Sequence, residues 1–192
     1  MKKILLLFAI PVFMMASCSS EKEFKVDADN SKIVWTAYKT TTKVPVQGEF
    51  KSVTVNGAEG NTIEEAINNT TFDVPVSSIF TNNPDRDKKI SDYFFGVLIN
   101  SMNLKGSLHL DANNEAYAKL SLNGISEKLP MKYEIKENMV TLTGEMELAN
   151  WDALEGVKSI NDACYDLHKG ADGISKTWDV VSINLSIPML NK

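Results

Sequence analysis

Cys164 and His168 stand four residues apart in "NDACYDLHKG", a spacing that puts a thiol and an imidazole on one side of a helix, with Asp166 and Asp172 nearby. That arrangement could make a thiolate-imidazole pair for nucleophilic chemistry, or half of a metal site. The surrounding pattern favours a plainer role. Leu154, Val157, Ile160 or Ala163, Cys164 and Leu167 recur at helical spacing, so Cys164 falls on an apolar stripe, where a free cysteine behaves as a small buried hydrophobe. The other histidine, His109, sits between Leu108 and Leu110 and so lies on the wet face of a strand. Two histidines and one such cysteine leave few general bases near neutral pH, and no nucleophile elbow, HExxH, P-loop or GxGxxG occurs. The chain is therefore read as a non-enzyme, with no catalytic residue and no metal ligand assigned; a Cys/His-dependent enzyme is kept as a lesser alternative.

The remaining cysteine, Cys18, ends the stretch "MKKILLLFAIPVFMMASC". Two lysines, an apolar run too short to span a bilayer stably, and the small residues Ala16 and Ser17 form the layout of a secretory signal over residues 1–17. A cysteine directly after them resembles the lipobox of bacterial lipoproteins, in which the thiol receives a diacylglyceryl group and becomes the new N-terminus. The expectation is a lipid anchor at Cys18, a polar tether over residues 18–23 and a domain over 24–192, placing the protein at the bacterial cell envelope. Removing Lys2 and Lys3 takes the net charge of −5 down by two more, to −7. With a single arginine, Arg86, and no basic cluster, the chain is a poor partner for nucleic acid or for an acidic membrane surface. If Cys18 is acylated, only Cys164 is left, and the fold must hold without an intrachain disulfide.

Period-two alternation supplies most of the elements that would position any site. "VTLTGEMEL" sets Val140, Leu142, Gly144, Met146 and Leu148 against Thr141, Thr143, Glu145 and Glu147, and "LPMKYEI", "MNLKGSLHL" and "VSINLSI" alternate in the same way. "KIVWTAY", "VPVQGEFKSVTV", "TTFDVPVSSI" and "EAYAKLSL" complete about eight strands, joined by short turns such as "KENM" and "NGISEK". Strands apolar on one side only, with few helices to cover a flat sheet, favour a closed antiparallel barrel. Helical signals are confined to three places. Asn83 and Pro84 begin one segment, with Asp85 and Asp87 at its positive end and an Arg86–Asp87 pair possible there; "NWDALEGVKSINDACYDLHKG" holds a second that Gly156 weakens; and "TIEEAIN" offers a capping box from Thr62 and Glu65.

Taken in order, four segments resemble the YceI-like family, a lipocalin-like group associated with polyisoprenoid binding. These are "FKVDADNSKIVWTAYKTTTKVPVQGEF", "NNPDRDKKISDYFF" after the strand "VPVSSIFT", "LSLNGISEKLPMKYEI", and the closing "VVSINLSI". The resemblance implies an eight-stranded antiparallel barrel around an elongated apolar cavity, with one or two short helical segments closing the ends. It departs where the family often has histidine: Lys88, Lys89 and Ile90 follow Arg86 and Asp87, and Asn30 stands at a second such place. Under this reading "NPDRDKK" stays in water, while Tyr93, Phe94 and Phe95 plug or line one end. No cofactor is expected beyond a bound isoprenoid or quinone-like lipid, carried without chemistry. The expected lining is Trp35, Phe50, Val74, Val76, Phe94, Phe95, Met102, Leu104, Leu122, Met131, Tyr133, Leu142, Met146 and Ile183. The rival reading is a structural or adhesive envelope lipoprotein whose barrel is filled by side chains, and no feature of the sequence bears on oligomeric state.

Overall fold

A computed structural model describes residues 23–191. The expected signal segment, Cys18 and all of the tether but its last residue lie outside them. Twelve strand segments follow in chain order: β1 (Phe24–Val26), β2 (Lys32–Lys39), β3 (Val44–Phe50), β4 (Thr54–Asn56), β5 (Glu59–Gly60), β6 (Thr71–Pro75), β7 (Ile79–Phe80), β8 (Asn103–Leu110), β9 (Glu115–Leu122), β10 (Ile125–Lys136), β11 (Met139–Glu147) and β12 (Val180–Asn191). Three helices join them: α1 (Ile63–Asn68), α2 (Pro84–Tyr93) and α3 (Leu154–Ala163).

The difference from eight expected strands has a local cause. Residues 49–56 and 71–80 run antiparallel, with Glu49 opposite Phe80 and Phe50 opposite Ile79, then Thr54 opposite Asp73 and Asn56 opposite Thr71. An irregularity at 51–53 and a 3-10 turn at Val76–Ser78 divide each into two segments. Because β6 pairs with β8 while β7 pairs with β3, this divided strand joins the two edges of the sheet. From β8 each strand pairs with the next as far as β12, which returns to β2, and β2 pairs with β3. The result is an antiparallel sheet curled on itself, with eight strands in its wall; β1 and β5 are appended to the end of β12. Curling removes the exposed edges that an open sheet of this length would carry.

Alternation selects the inner face as expected. On β12 the side chains of Val181, Ile183, Leu185 and Ile187 point inward, and Ser182, Asn184 and Ser186 lie between them. Between β9 and β10 the connection is tighter than "NGISEK" suggested. Asn123 and Gly124 alone make the turn, both with positive φ (53° and 73°), and β10 starts at Ile125. Asn123 also fastens its end of the barrel: its Oδ1 accepts from the Ile99 N–H, and its Nδ2 donates to the carbonyls of Trp151 and Asp152.

The two ends differ. One is covered by α1, whose Ala66 and Ile67 are fully buried, and by β1. Thr62 caps α1 by accepting from the Glu65 N–H, while the Glu65 carboxylate reaches the N–H of Asn61 and not that of the cap residue. The other end carries α2, α3 and three 3-10 turns at Phe95–Val97, Leu148–Trp151 and Tyr165–Leu167. Asn83 caps α2 as expected, accepting from the Arg86 N–H at 3.0 Å, with Pro84 in the first helical position. Asp87 Oδ1 accepts from the N–H and hydroxyl of Thr81, and no ion pair joins Asp87 to Arg86. Residues 151–170 are not one helix but a turn, α3 and another turn, and a Cβ at Gly156 would lie 2.9 Å from the Phe94 ring. Glycine there lets α3 approach the end of α2.

Candidate functional site

Inside the wall lies a cavity of about 530 Å3, well within the size range of small-molecule sites. Its middle is apolar throughout, lined by side chains such as Ile33, Phe72, Leu104, Leu120, Leu129 and Leu185. Trp35 crosses from β2 toward Gly48 on β3, where a Cβ would stand 2.2 Å from the indole. Trp35 is 7% exposed, and its Nε1–H has no hydrogen-bond partner among the described residues. An unpaired buried donor of this kind costs roughly 1–3 kcal/mol.

Ten of the fourteen residues expected to line a cavity do so: Trp35, Phe50, Val74, Phe94, Phe95, Leu104, Leu122, Met131, Met146 and Ile183. The Phe94 and Phe95 rings meet edge to face, 4.9 Å apart, under the helical end. The other four lie elsewhere. Val76 is fully buried in the 3-10 turn that divides its strand. Met102 is 48% exposed because β8 begins only at Asn103, so the alternation does not extend to it. Leu142 is fully buried, and Tyr133 opposite it sends its hydroxyl to the Asp111 carbonyl; both pack beyond the cavity toward the covered end. Tyr93, the first of the three aromatics, is 45% exposed and does not line the cavity.

Ser31, Lys32 and Thr70 line the cavity toward the other end, but most of the polar lining gathers at the helical end, where the exposed residues Asn83, Asp85, Arg86 and Leu167 mark an opening. "NPDRDKK" is therefore not wholly in water. Arg86, Lys89 and Ile90 occupy one face of α2 at i, i+3 and i+4, and all three line the mouth. Lys39 reaches it from the end of β2, its Nζ donating to the Leu167 carbonyl at 3.0 Å. From the segment after α3 come His168 and Thr177.

The tautomer of His168 follows from its neighbours. Thr177 Oγ1 donates to Asn161 Oδ1 at 2.9 Å, so at 2.7 Å from His168 Nδ1 it can only accept. Nδ1 therefore carries the proton, and Nε2 is left with a lone pair and no partner among the described residues. Burial first, and then the ammonium groups of Lys39 and Lys89, push this imidazole down from 6.5 to about 4, so it is neutral at pH 7.

Cys164 is buried and also faces the cavity, one turn below His168. The two are joined only through the backbone, by the His168 N–H donating to the Cys164 carbonyl at 3.0 Å. Among the described residues no group of three or more His, Cys, Asp or Glu is placed to hold a metal. His109 is on the outer face, its ring stacked on Tyr117 and its Nε2 bonded to Ser107 Oγ. The polar mouth was the part missed from the sequence; the spacing of Arg86 and Lys89 was visible there, while the approach of His168 depends on the path of the chain after α3.

The model of the YceI-like domain matches residues 24–189, and the chain belongs to that family. Among solved structures, a polyisoprenoid binding domain from Saccharophagus degradans, implicated in plant cell wall breakdown, superposes with a TM-score of 0.62 at 12% identity. The match covers 90% of this chain and 100% of that one. Burkholderia cenocepacia BcnA gives a TM-score of 0.53 at 14% identity, covering 86% of this chain and 99% of its own. At such identities the likeness is one of fold. No curated protein sequence matches the chain significantly.

Proposed function

We propose that the protein binds or carries an isoprenoid-type or similar amphiphilic lipid inside the barrel, without chemistry on it, while held at the bacterial cell envelope by lipid on Cys18. The observation that carries this reading is the largely apolar cavity of about 530 Å3 that is walled by strands and has most of its polar lining at its helical end. A site of that form takes a long apolar tail inward and leaves a head group at the mouth. Each isoprene unit buried contributes roughly 3–4 kcal/mol, so a few units offset the several kcal/mol of freedom lost on binding. The fold shared with a domain described as polyisoprenoid binding supports the same class of ligand. A barrel filled by side chains, as the structural reading requires, would not leave this space.

Met131 and Met146 stand in the cavity wall on β10 and β11. An unpaired carboxylate at either place would be buried against apolar surface. The expected result is that Met131→Glu or Met146→Glu, folded by circular dichroism, loses retention of added polyprenol. A folded variant that retains polyprenol as the wild type does would contradict the cavity as the binding site.

A further inference from the structure

Positive charge is grouped at the mouth. Eight lysines outside the mouth, Lys25, Lys51, Lys88, Lys105, Lys132, Lys136, Lys158 and Lys169, each have a carboxylate partner, while Lys32, Lys43, Lys119, Lys128 and Lys176 have none among the described residues. The three cations that line the mouth, Lys39, Arg86 and Lys89, form no ion pair among the described residues. One carboxylate, Asp85, shares the mouth with them; Asp87, also on α2, is turned to Thr81 and does not line it. Three cations against one acid, at the end of an apolar channel and in a chain of net charge −5, form a local positive field that the composition does not explain.

That field is felt inside the site. Lys39 and Lys89, from β2 and α2, both act on the His168 imidazole and favour its neutral form. With Nδ1–H held by Thr177, the acceptor nitrogen Nε2 is left without a partner among the described residues, in a ring close enough to both ammonium groups to feel their charge. A head group with negative oxygens would complete the set, accepting from Lys39, Lys89 and Arg86, and an acidic proton on that head group would find its acceptor in Nε2.

We infer that the mouth selects amphiphiles with an anionic oxyacid head, a prenyl phosphate or a fatty carboxylate, over neutral heads on the same tail. This inference rests on the lipid-binding reading and narrows its ligand class. The cations come from β2 and α2 and the imidazole from the segment after α3, so the site assembles only in the closed barrel.

The test compares farnesyl monophosphate with farnesol, and palmitate with hexadecanol, by calorimetric titration of the purified protein below the aggregation threshold of each amphiphile. The acid-headed member of each pair should bind at least about tenfold more tightly, and the preference should shrink as salt is raised. Lys39→Gln and Lys89→Gln should each reduce it, while Lys39→Arg and Lys89→Arg should keep it. Lys89 makes no hydrogen bond that holds the fold, so its variant remains informative should Lys39→Gln fail to fold. Equal affinity for acid and alcohol would overturn the head-group inference and leave the cavity reading standing. No binding of any of the four would overturn both. Inorganic phosphate binding as tightly as farnesyl phosphate would make the mouth a free-anion site and overturn the inference as stated.

Discussion

Burial and the ammonium groups of Lys39 and Lys89 hold His168 near pH 4 in the folded protein, whereas in the unfolded chain it returns to about 6.5. Between those values the unfolded chain binds the extra proton, so stability is highest above pH 6.5, falls as the pH drops toward 4, and levels off below. The ring is only half-buried, and solvent screening reduces the effect to roughly 1–2 kcal/mol. Denaturant unfolding at pH 7 and pH 4 should show this loss in the wild type and a smaller one in His168→Gln; equal losses in the two would contradict the assigned environment. At this scale the sequence was partly misleading. Cys164 and His168 do share one side of the chain, as their spacing indicated, but the imidazole is bonded to Thr177 and not to the thiol. Thr177 lies nine residues on, brought back by a loop, and no spacing rule identifies such a partner.

Strands were the most legible elements, and the inner face was read correctly wherever alternation ran through regular structure. Height along the barrel was not legible, since a period of two assigns a side chain to a face but not to the open or the covered end. Leu142 and Tyr133 are on the inner face and still do not reach the cavity. Val76 and Met102 fall where a 3-10 turn or a late strand start interrupts the period. One pairing tests the register directly. Gly48 on β3 lies opposite Trp35 on β2, and its missing side chain makes room for the indole. Gly48→Ala should destabilise the protein by about 1–3 kcal/mol, as overpacking does, and by clearly less in a Trp35→Leu background. The same cost in both backgrounds, measured by chemical denaturation, would mean that the two residues do not meet as described.

The molecule as a whole joins a wall built from near-neighbour strand pairing to a cap built from long connections. Pairing of successive strands from β8 to β12 and of β2 with β3 explains why the barrel could be anticipated from alternation and turns, although its closure depends on the distant β12–β2 pair. The cap is different. α2, α3 and the segment 164–178 meet over the opening from positions far apart in the chain, and their charges become a group only there. The polar mouth above an apolar channel is what turns a closed barrel into a candidate carrier. Native mass spectrometry with lipid extraction, on protein expressed in a bacterium and purified gently, tests that account most directly. The account predicts a co-purifying single-tailed amphiphile of isoprenoid or related mass in complex with the folded protein. A protein that purifies without lipid and takes up neither polyprenols, quinones nor prenyl phosphates when they are added would contradict it.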